Sequence, residues 1–493
     1  MRDAVALQTR SNPDAVALVD AATDESWTYR ELHDDVQTIA GQLAAAGVQR
    51  GDRVTVLMET RPAFVRLVFA CARLGAVLVP LNARLATPEL RAQAESVSPV
   101  VCICERDTED TAVDLGPMPV LSVDTGGEAE SLVARDPTEF EAADLAWADT
   151  RAVLFTSGTT GDPKPVRLTY GNFAASAVAS AFRLGVLPDD RWLCPLSLYH
   201  MGGLSVVLRS ALYGTTAVLT RGFDAESVGT ALADYDCTGV SLVPTMLKRL
   251  LDERPEGLPD SLRFALVGGA PTPPDLVERA VDVGVPVCPT YGATETTSQV
   301  ATLGPGEARH NPESVGRPLL GTEVTIVDDD GEPLPTGETG EIVVSGPTVT
   351  PGYLAGAATD ERFGPHGLRT GDHGHLDDDG FLYVGGRQTD RIVTGGENVH
   401  PEEVAGVLRS HPGVADVAVV GVPDEEWGER VGALVVPVDE PGDLSQAALR
   451  AFCEDRLAGY KHPRTIRFVA ELPRTPSGTV DRAAAVARLA EEN

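Results

Sequence analysis

The stretch TYRELHDDVQTIAGQLAAAGVQRGDRVTVLM, from Thr28 to Met58, contains one complete helix-turn-strand unit. Thr28 and Glu31 have the spacing of a capping box, in which the hydroxyl takes an N–H of the first helical turn and the carboxylate reaches back to the N–H of the cap. That box opens a helix predicted to run through Ala46, Gly47 and Gly51 mark the turn, and Arg53 to Met58 is a strand. Working outward, short apolar runs keep alternating with amphipathic stretches from Met1 to about Gly386, which is the pattern of parallel sheets covered by helices. The predicted fold class is α/β. Glu105 to Arg151 turns acidic and irregular and reads as a surface excursion before the strand Ala152 to Phe155. From Glu323 the texture changes to β-hairpins: Val324 to Val327 turns at Asp328 to Gly331, Glu341 to Ser345 follows, and Leu376 and Phe381 to Val384 flank Asp377 to Gly380. After Gly386 a smaller unit begins, with a strand near Ile392, a helix opening at Pro401, strands Ala415 to Val422 and Gly432 to Val438, and a helix Ser445 to Leu457.

A chain of 493 residues with 43% apolar content exceeds one hydrophobic core and fills two or three. The longest apolar region, Phe64 to Leu81, is interrupted by Arg66 and Arg73, so neither a signal peptide nor membrane insertion is expected, and the cytoplasm is the expected location. The seven cysteines are scattered without a C-x-x-C pair, which fits core residues in a reducing compartment better than a disulfide framework or a zinc site. Against 73 Asp and Glu stand 40 Lys and Arg, and Lys164, Lys248 and Lys461 are the three lysines. A net charge of −33 spread through well-patterned sequence points to a halophile's cytoplasm, where molar salt screens it within about 3 Å. Nucleic acid is not an expected partner, since no basic face is available. Self-association is neither required nor excluded.

The strongest chemical signal is Thr156-Ser157-Gly158-Thr159-Thr160-Gly161-Asp162-Pro163-Lys164, placed directly after a buried strand. Glycines let successive N–H groups turn inward, the hydroxyls add donors and Lys164 adds a positive charge, a set suited to a polyphosphate. An ordinary Gly/Thr surface turn is the plain alternative. It is not a Walker A loop, and the chain has no G-x-G-x-x-G turn, G-x-S-x-G elbow or H-E-x-x-H helix.

This segment resembles the phosphate loop of the acyl-adenylate-forming superfamily of acyl-CoA synthetases, luciferases and adenylation domains. The resemblance continues in order through Pro195 to Gly203 (PLSLYHMGG), Gly268 to Pro271 (GGAP), Tyr291 to Glu295 (YGATE), Thr370 to Asp372 (TGD), Gly386 to Asp390 (GRQTD) and Gly395 to Asn398 (GGEN). It implies a large N-terminal α/β body with a hairpin-rich end over residues 1–386, a hinge at Gln388, Thr389 and Asp390 within 387–390, and a small mobile α+β domain over 391–493. It also implies an enzyme that uses ATP to turn a small carboxylic acid into its acyl-adenylate and then transfers the acyl group to coenzyme A. The nucleotide-binding set it implies is Thr156, Ser157, Gly158, Thr159, Thr160, Gly161 and Lys164 on the β- and γ-phosphates. Gly269, Ala270, Pro271, Tyr291 and Gly292 would lie along the adenine, Thr294 at the α-phosphate, and Asp372 and Arg387 at the ribose. Glu295 would hold Mg²⁺, a hard cation that prefers carboxylate and phosphate oxygens. Lys164, Thr294, Glu295 and His200 are thereby the expected catalytic group, with His200 also at the acyl pocket and thiol entrance, and Gly395, Gly396, Glu397 and Asn398 line the pantetheine tunnel.

One departure stands out. Members of the superfamily end in Pro-Arg-x-x-x-Gly-Lys, whereas this chain reads Pro473-Arg474-Thr475-Pro476-Ser477-Gly478-Thr479, with Thr479 where the lysine belongs. Arg482 or Arg474 is the expected substitute, Mg²⁺ carrying more of the load is the other route, and a non-catalytic nucleotide or acyl-CoA binding protein is the alternative of a different class. Within the superfamily, Asp190 to Leu204, Tyr213-Gly214 and Gly268 to Leu303 are most similar to the 2-succinylbenzoate ligases of menaquinone biosynthesis, with ligases for other aryl or medium-chain acids as the runner-up. The substrate implied has a ketone and two carboxylates, with Ser298, Gln299 and Thr302 as candidate hydrogen-bonding partners for the spare carboxylate or ketone. No unambiguous cationic anchor for that carboxylate stands out in the sequence.

Overall fold

In the computed structural model, which describes residues 3–85, 87–156, 164–354, 362–387, 392–394, 397–399, 401–424, 428–438, 444–454, 456–457, 459–475 and 478–490, the Thr28–Met58 unit forms as its residues dictate. The helix is Tyr29–Ala45, with both halves of the Thr28–Glu31 capping box made, and the strand is Arg53–Leu57. The buried Tyr29 at the helix start sends its hydroxyl to the carbonyls of Ser210 (3.1 Å) and Thr215 (2.8 Å). One local cap is therefore also a tertiary lock.

The chain divides into two compact units, Met1–Val324 with Val344–Leu368, and Thr325–Val343 with Arg369–Asn493. The first contains two sheets. One has the strand order 130–131, 120–122, 101–104, 53–57, 77–80, 150–156, 164–169, parallel throughout except for the last pair. The other runs 317–318, 298–302, 287–293, 264–267, 239–242, 191–194, 216–219, 16–20, 25–28, with a parallel centre and antiparallel edges. A shared apolar core of Tyr29, Phe64, Leu67, Leu78, Leu154, Leu204 and their neighbours joins the helices to both sheets. The expected apolar run Phe64 to Leu81 resolves into the helix Pro62–Leu74 and the strand Val77–Pro80. Its Arg73 is buried because Asp3, also buried, meets it at 3.1 Å. All seven cysteines are free and buried, as expected of core residues.

The stretch Glu105 to Arg151 departs from the expected surface excursion. Val120–Ser122 and Glu130–Ser131 add the last two strands on one side of the seven-stranded sheet, and Leu121, Leu132 and Leu145 are buried. Strands this short give no readable alternation, and the surrounding acids mask them.

In the second unit the hairpin pairing Asp372–Leu376 with Leu382–Arg387 turns where expected, with Asp377 N–H bonded to the Phe381 carbonyl at 3.0 Å. Further along, Val414–Asp424 pairs with Gly428–Pro437 over its length, and Thr465–Phe468 adds in parallel. Alternation along Val414–Asp424 sorts its side chains between two cores. Val417 and Val419 pack with Val404 and Leu408 of the helix Pro401–Arg409 and with Leu449 and Cys453 of the helix Gln446–Glu454. Ala418, Val420 and Val422 pack with Ala485 and Leu489 of the helix Arg482–Ala490. The strand Thr465–Phe468 and that last helix escape sequence reading.

Candidate active site

The segments singled out in the first unit gather where parallel strands end. Gly268 to Pro271 follows Phe264–Val267, Tyr291 to Glu295 closes the neighbouring parallel strand Val287–Ala293, and His200 comes after Arg191–Cys194 and caps the helix Met201–Tyr213. Carboxyl ends of strands are where open α/β sheets receive ligands. Glycine is required at two of these places by approach distance. A Cβ on Gly292 would lie 1.6 Å from the Ser298 carbonyl oxygen, and one on Gly268 2.6 Å from a Thr290 methyl. Gly269 has φ of 81°, which other residues rarely adopt. Gly269, Ala270, Pro271 and Gly292 are exposed, so bare chain faces solvent beside the half-buried Tyr291.

After Tyr291 the backbone reverses sharply. The short turn Thr294–Thr296 is pinned by the Thr296 hydroxyl, which accepts the Ala293 N–H at 3.0 Å, and Thr297 and Ser298 have φ of 52° and 91°. Such conformations persist where the surroundings impose them. Here the Thr297 hydroxyl donates to the Thr348 carbonyl at 2.7 Å, and the Thr350 N–H donates to the Glu295 carbonyl, also at 2.7 Å. Glu295 is thus held from its main chain while its side chain meets Tyr353, whose hydroxyl donates to Oε1 at 3.0 Å. Burial, and after it the Glu295 charge, push the Tyr353 phenol up to about 12, so it stays a donor at any working pH. The Lys164 ammonium lies 5.8 Å from the centre of the Tyr353 ring. Tyr353 therefore stands between the expected metal-binding carboxylate and the expected phosphate-binding lysine. Sequence reading missed it. Its only signal is the Pro351-Gly352-Tyr353 turn, because 58 residues separate it from its partner Glu295.

Thr156 and Lys164 are register partners at the mouth of an antiparallel hairpin. Ser157, Gly158, Thr159, Thr160 and Gly161 between them lie outside the described residues. The return strand Lys164–Thr169 holds the 350–354 segment through Leu354 N–H to the Pro165 carbonyl (2.9 Å) and Arg167 N–H to the Gly352 carbonyl (3.1 Å).

Among the expected acyl-pocket residues, Gln299 and Thr302 are buried and linked. Thr290 donates to the Ala301 carbonyl at 2.9 Å, which fixes Thr302 as the donor to Thr290 (2.7 Å) and leaves Thr302 to accept from Gln299 Nε2 at 2.7 Å. Gln299 Oε1 remains buried without a partner among the described residues. Ser298 is half-buried at the head of the same strand. His200 stacks edge-on against the buried Tyr199 with centroids 4.9 Å apart. The protein packed around its imidazole, and after that the Arg84 charge, lower its pKa, although the residue keeps an exposed edge.

Beneath this strand is the cation that the sequence reading did not find. Arg209, on the helix Met201–Tyr213, is fully buried. Its Nη2 donates to Ser176 Oγ at 2.9 Å, and Ser176 donates to the Thr297 carbonyl at 2.7 Å. Nε and Nη1 meet no hydrogen-bond partner among the described residues. Burial opposes its charge and lowers its pKa, yet a guanidinium remains protonated in proteins. A lone Arg in an apolar helix was visible in MGGLSVVLRSALY; that it has no carboxylate partner among the described residues was not.

In the second unit, Asp372 is the register partner of Arg387, and the Asp372 N–H is held by Thr370 Oγ1 at 3.1 Å. The Arg387 side chain, the Glu397 and Asn398 side chains, Gly395, Gly396, and the expected hinge Gln388, Thr389 and Asp390 lie outside the described residues. Glu397–Val399 is a short strand antiparallel to Ile392–Thr394. Thr479 carries no cation, and its hydroxyl lies 2.7 Å from that of Thr475 across a tight turn. Arg474, one of the expected substitutes, is engaged by the Gly478 carbonyl at 2.7 Å and by Asp416 at 2.8 Å. Arg482 begins the final helix.

With this geometry in view, comparison with known proteins defines the class. Residues 5–354 match the AMP-binding enzyme family and residues 403–479 match the AMP-binding enzyme C-terminal domain. The chain belongs to this family and is an adenylate-forming acid-thiol ligase of the acyl-CoA synthetase type. It is 39% identical over 467 residues to the 2-succinylbenzoate--CoA ligase of Bacillus cereus strain Q1, covering 94% of each chain. It is also similar to the o-succinylbenzoate CoA synthetase (MenE) of Bacillus subtilis in complex with the acyl-adenylate intermediate OSB-AMP, with 36% identity, TM-score 0.91 and 98% of each chain covered. The same Bacillus subtilis enzyme in complex with ATP and magnesium ion gives a TM-score of 0.90 at 36% identity, covering 98% of this chain and 99% of its own. ATP-bound MatB from Rhodopseudomonas palustris gives 0.92 at 30% identity over 99% of each chain. No described helix is long and apolar enough to cross a membrane.

Proposed function

We propose that the acid this ligase activates is 2-succinylbenzoate or a close aromatic keto-dicarboxylate, converted to its CoA thioester in menaquinone biosynthesis. The observation that carries this reading is the buried Arg209. Among the described residues this fully buried cation has no anionic partner, which is costly, and an incoming carboxylate would supply the missing charge. The acid needs two carboxylates for this, one to react and one to be held. Arg209 connects through Ser176 to Thr297, next to Ser298 and Gln299, so its charge borders the strand expected to line the acyl pocket. Gln299 Oε1 adds an acceptor in need of a donor.

In this reading one carboxylate oxygen of the acid attacks the α-phosphorus of ATP and pyrophosphate leaves. The thiol of CoA then attacks the acyl carbon and AMP leaves. Glu295 would hold Mg²⁺. The fit rests on its carboxylate, with Oε1 already oriented by Tyr353, and the ion would supply positive charge to the phosphate oxygens. Thr156, the residues 157–161 and Lys164 would hold the β- and γ-phosphates. Thr294 would meet the α-phosphate, Tyr291 and Gly269 to Pro271 the adenine, and Asp372 with Arg387 the ribose. His200 would border the acyl carbon and thiol entrance, with 395–398 along the pantetheine. Residues 387–390 would be the hinge on which residues 391–493 turn between the two half-reactions. The net charge of −33 would adapt the surface to molar salt.

The test is release of AMP and pyrophosphate from ATP and CoA with a panel of acids in molar KCl. 2-Succinylbenzoate should exceed the matching keto-acid without a ring carboxylate by at least about tenfold in kcat/KM, the scale of one desolvated ion pair. Equal turnover of the two acids would remove the dicarboxylate assignment and leave the runner-up aryl or medium-chain ligase.

A further inference from the structure

The helix Tyr170–Leu184 (YGNFAASAVASAFRL) carries none of the 73 acids of the chain. At 100° per residue, Gly171, Ala174, Ala175, Val178, Ala181 and Phe182 fall on one stripe. Its large members are uncovered: Val178 is 51% and Phe182 75% exposed. Trp147, 59% exposed, continues the stripe past the start of the helix, because its ring packs over Gly171, where a Cβ would come within 3.2 Å of it. Past the other end stands Leu187, 51% exposed. A helix of this length spans about 22 Å, so the stripe covers on the order of a few hundred Å², the size at which an exposed apolar patch marks an interaction surface.

We propose that this stripe is the contact surface of a homodimer, formed by two copies of the helix packed antiparallel about a two-fold axis near Val178. Two features of the chain select a second copy as the occupant. Bulk is distributed in a self-complementary way about Val178. Phe182 lies one helical turn on one side and Ala174 and Ala175 about one turn on the other, so the rotation seats each Phe182 over the small residues of its twin. The same rotation brings Leu187 toward the far end, where Trp147 stands, as a self-complementary contact requires. Charge is the second feature. Two chains of net charge −33 repel each other over most of their surfaces, and this stripe is free of ionised groups. A surface of this size is below that of a standard stable interface, so the dimer is a weak, salt-promoted one.

Sedimentation equilibrium of the full chain at 0.2 and 2 M KCl tests this. The dissociation constant should tighten about tenfold or more with salt, as screening shortens from roughly 7 Å to under 3 Å, and Phe182→Glu should weaken it at 2 M KCl by about tenfold or more. Because all seven native thiols are buried, Val178→Cys places one exposed thiol near the axis, and mild oxidation should link most chains in pairs. Val113→Cys, at a 58% exposed position at the end of the short helix Glu109–Val113, should not link. A chain that stays monomeric at 100 μM in both salts, a dimer indifferent to Phe182→Glu, or equal linking of the two cysteine variants would each overturn the proposal.

Discussion

Replacing Arg209 by methionine should move stability and substrate recognition in opposite directions. Methionine keeps most of the length and apolar volume of the side chain and removes the charge. Among the described residues the guanidinium has one hydrogen bond, to Ser176, and the Trp192 ring 6.0 Å from it, while two of its buried donors have no hydrogen-bond partner. A hydrogen bond to a charged group contributes about 1.5–3 kcal/mol, and each buried unmet donor costs about 1–3 kcal/mol. The two unmet donors at least offset the one bond, so the unliganded variant should be as stable as the parent or more stable. Binding is different. If the ring carboxylate of the acid sits against Arg209, removing one member of a buried charge pair costs about 2–5 kcal/mol, or roughly 30- to 5,000-fold in kcat/KM. The matching keto-acid without the ring carboxylate should change by less than about threefold, since it never made the pair. Thermal unfolding without ligand and kcat/KM for both acids in parent and variant provide the readout. Equal losses for the two acids, or a large drop in stability, would show that Arg209 is a structural cation.

Tyr353→Phe should leave the fold intact and raise the Mg²⁺ concentration needed for half-maximal pyrophosphate release by about tenfold, because Glu295 loses the bond that orients it; magnesium titration checks this. Glu295→Gln should abolish adenylation at any Mg²⁺ while the thermal transition stays within a few degrees of the parent, read by pyrophosphate release and circular dichroism. Gly292→Ala should destabilise the strand reversal by about 3 kcal/mol or more, since its Cβ would lie 1.6 Å from a backbone oxygen; denaturant unfolding measures it. Thr479→Lys should raise the adenylation rate about tenfold or more while leaving thioester formation from preformed acyl-adenylate nearly unchanged, and Arg482→Ala in the parent decides whether that arginine already supplies the charge, both by single-turnover measurement.

What the sequence made readable was local. The Thr28–Glu31 box and the alternation of runs sufficed for the α/β body, and the hairpin at Asp377 was legible from its turn residues. The short strands Val120–Ser122 and Glu130–Ser131 were not, because two or three residues carry no period. Thr465–Phe468 hides its alternation behind Arg467 and pairs in parallel with a strand about 30 residues earlier, which no local pattern records. The site divides the same way. Residues acting through bare backbone announced themselves as glycines, as at Gly268 and Gly292, whereas Tyr353 and Arg209 depend on neighbours far along the chain. An arginine in an apolar helix can be a satisfied core residue, and only the absence of a partner for two of its nitrogens among the described residues makes Arg209 informative.

The charge balance explains why recognition should rest on buried and backbone groups. On the proposed reading a surface of net charge −33 repels ATP and the dicarboxylate at long range, and an exposed cation would counter this only over the screening length. If the protein works in molar salt, as proposed, that length is about 3 Å, so steering by exposed cations is lost along with the repulsion. Interactions that survive are short or desolvated: N–H groups of glycine-rich segments, and a guanidinium buried where salt does not reach it. Lys164 fits the same logic, because its ammonium approaches the face of Tyr353 instead of standing free in solvent. Affinity for the ring carboxylate should then vary little between 1 and 3 M KCl, less than about twofold, and a KM that rises steadily over that range would mean that the carboxylate is held at the surface.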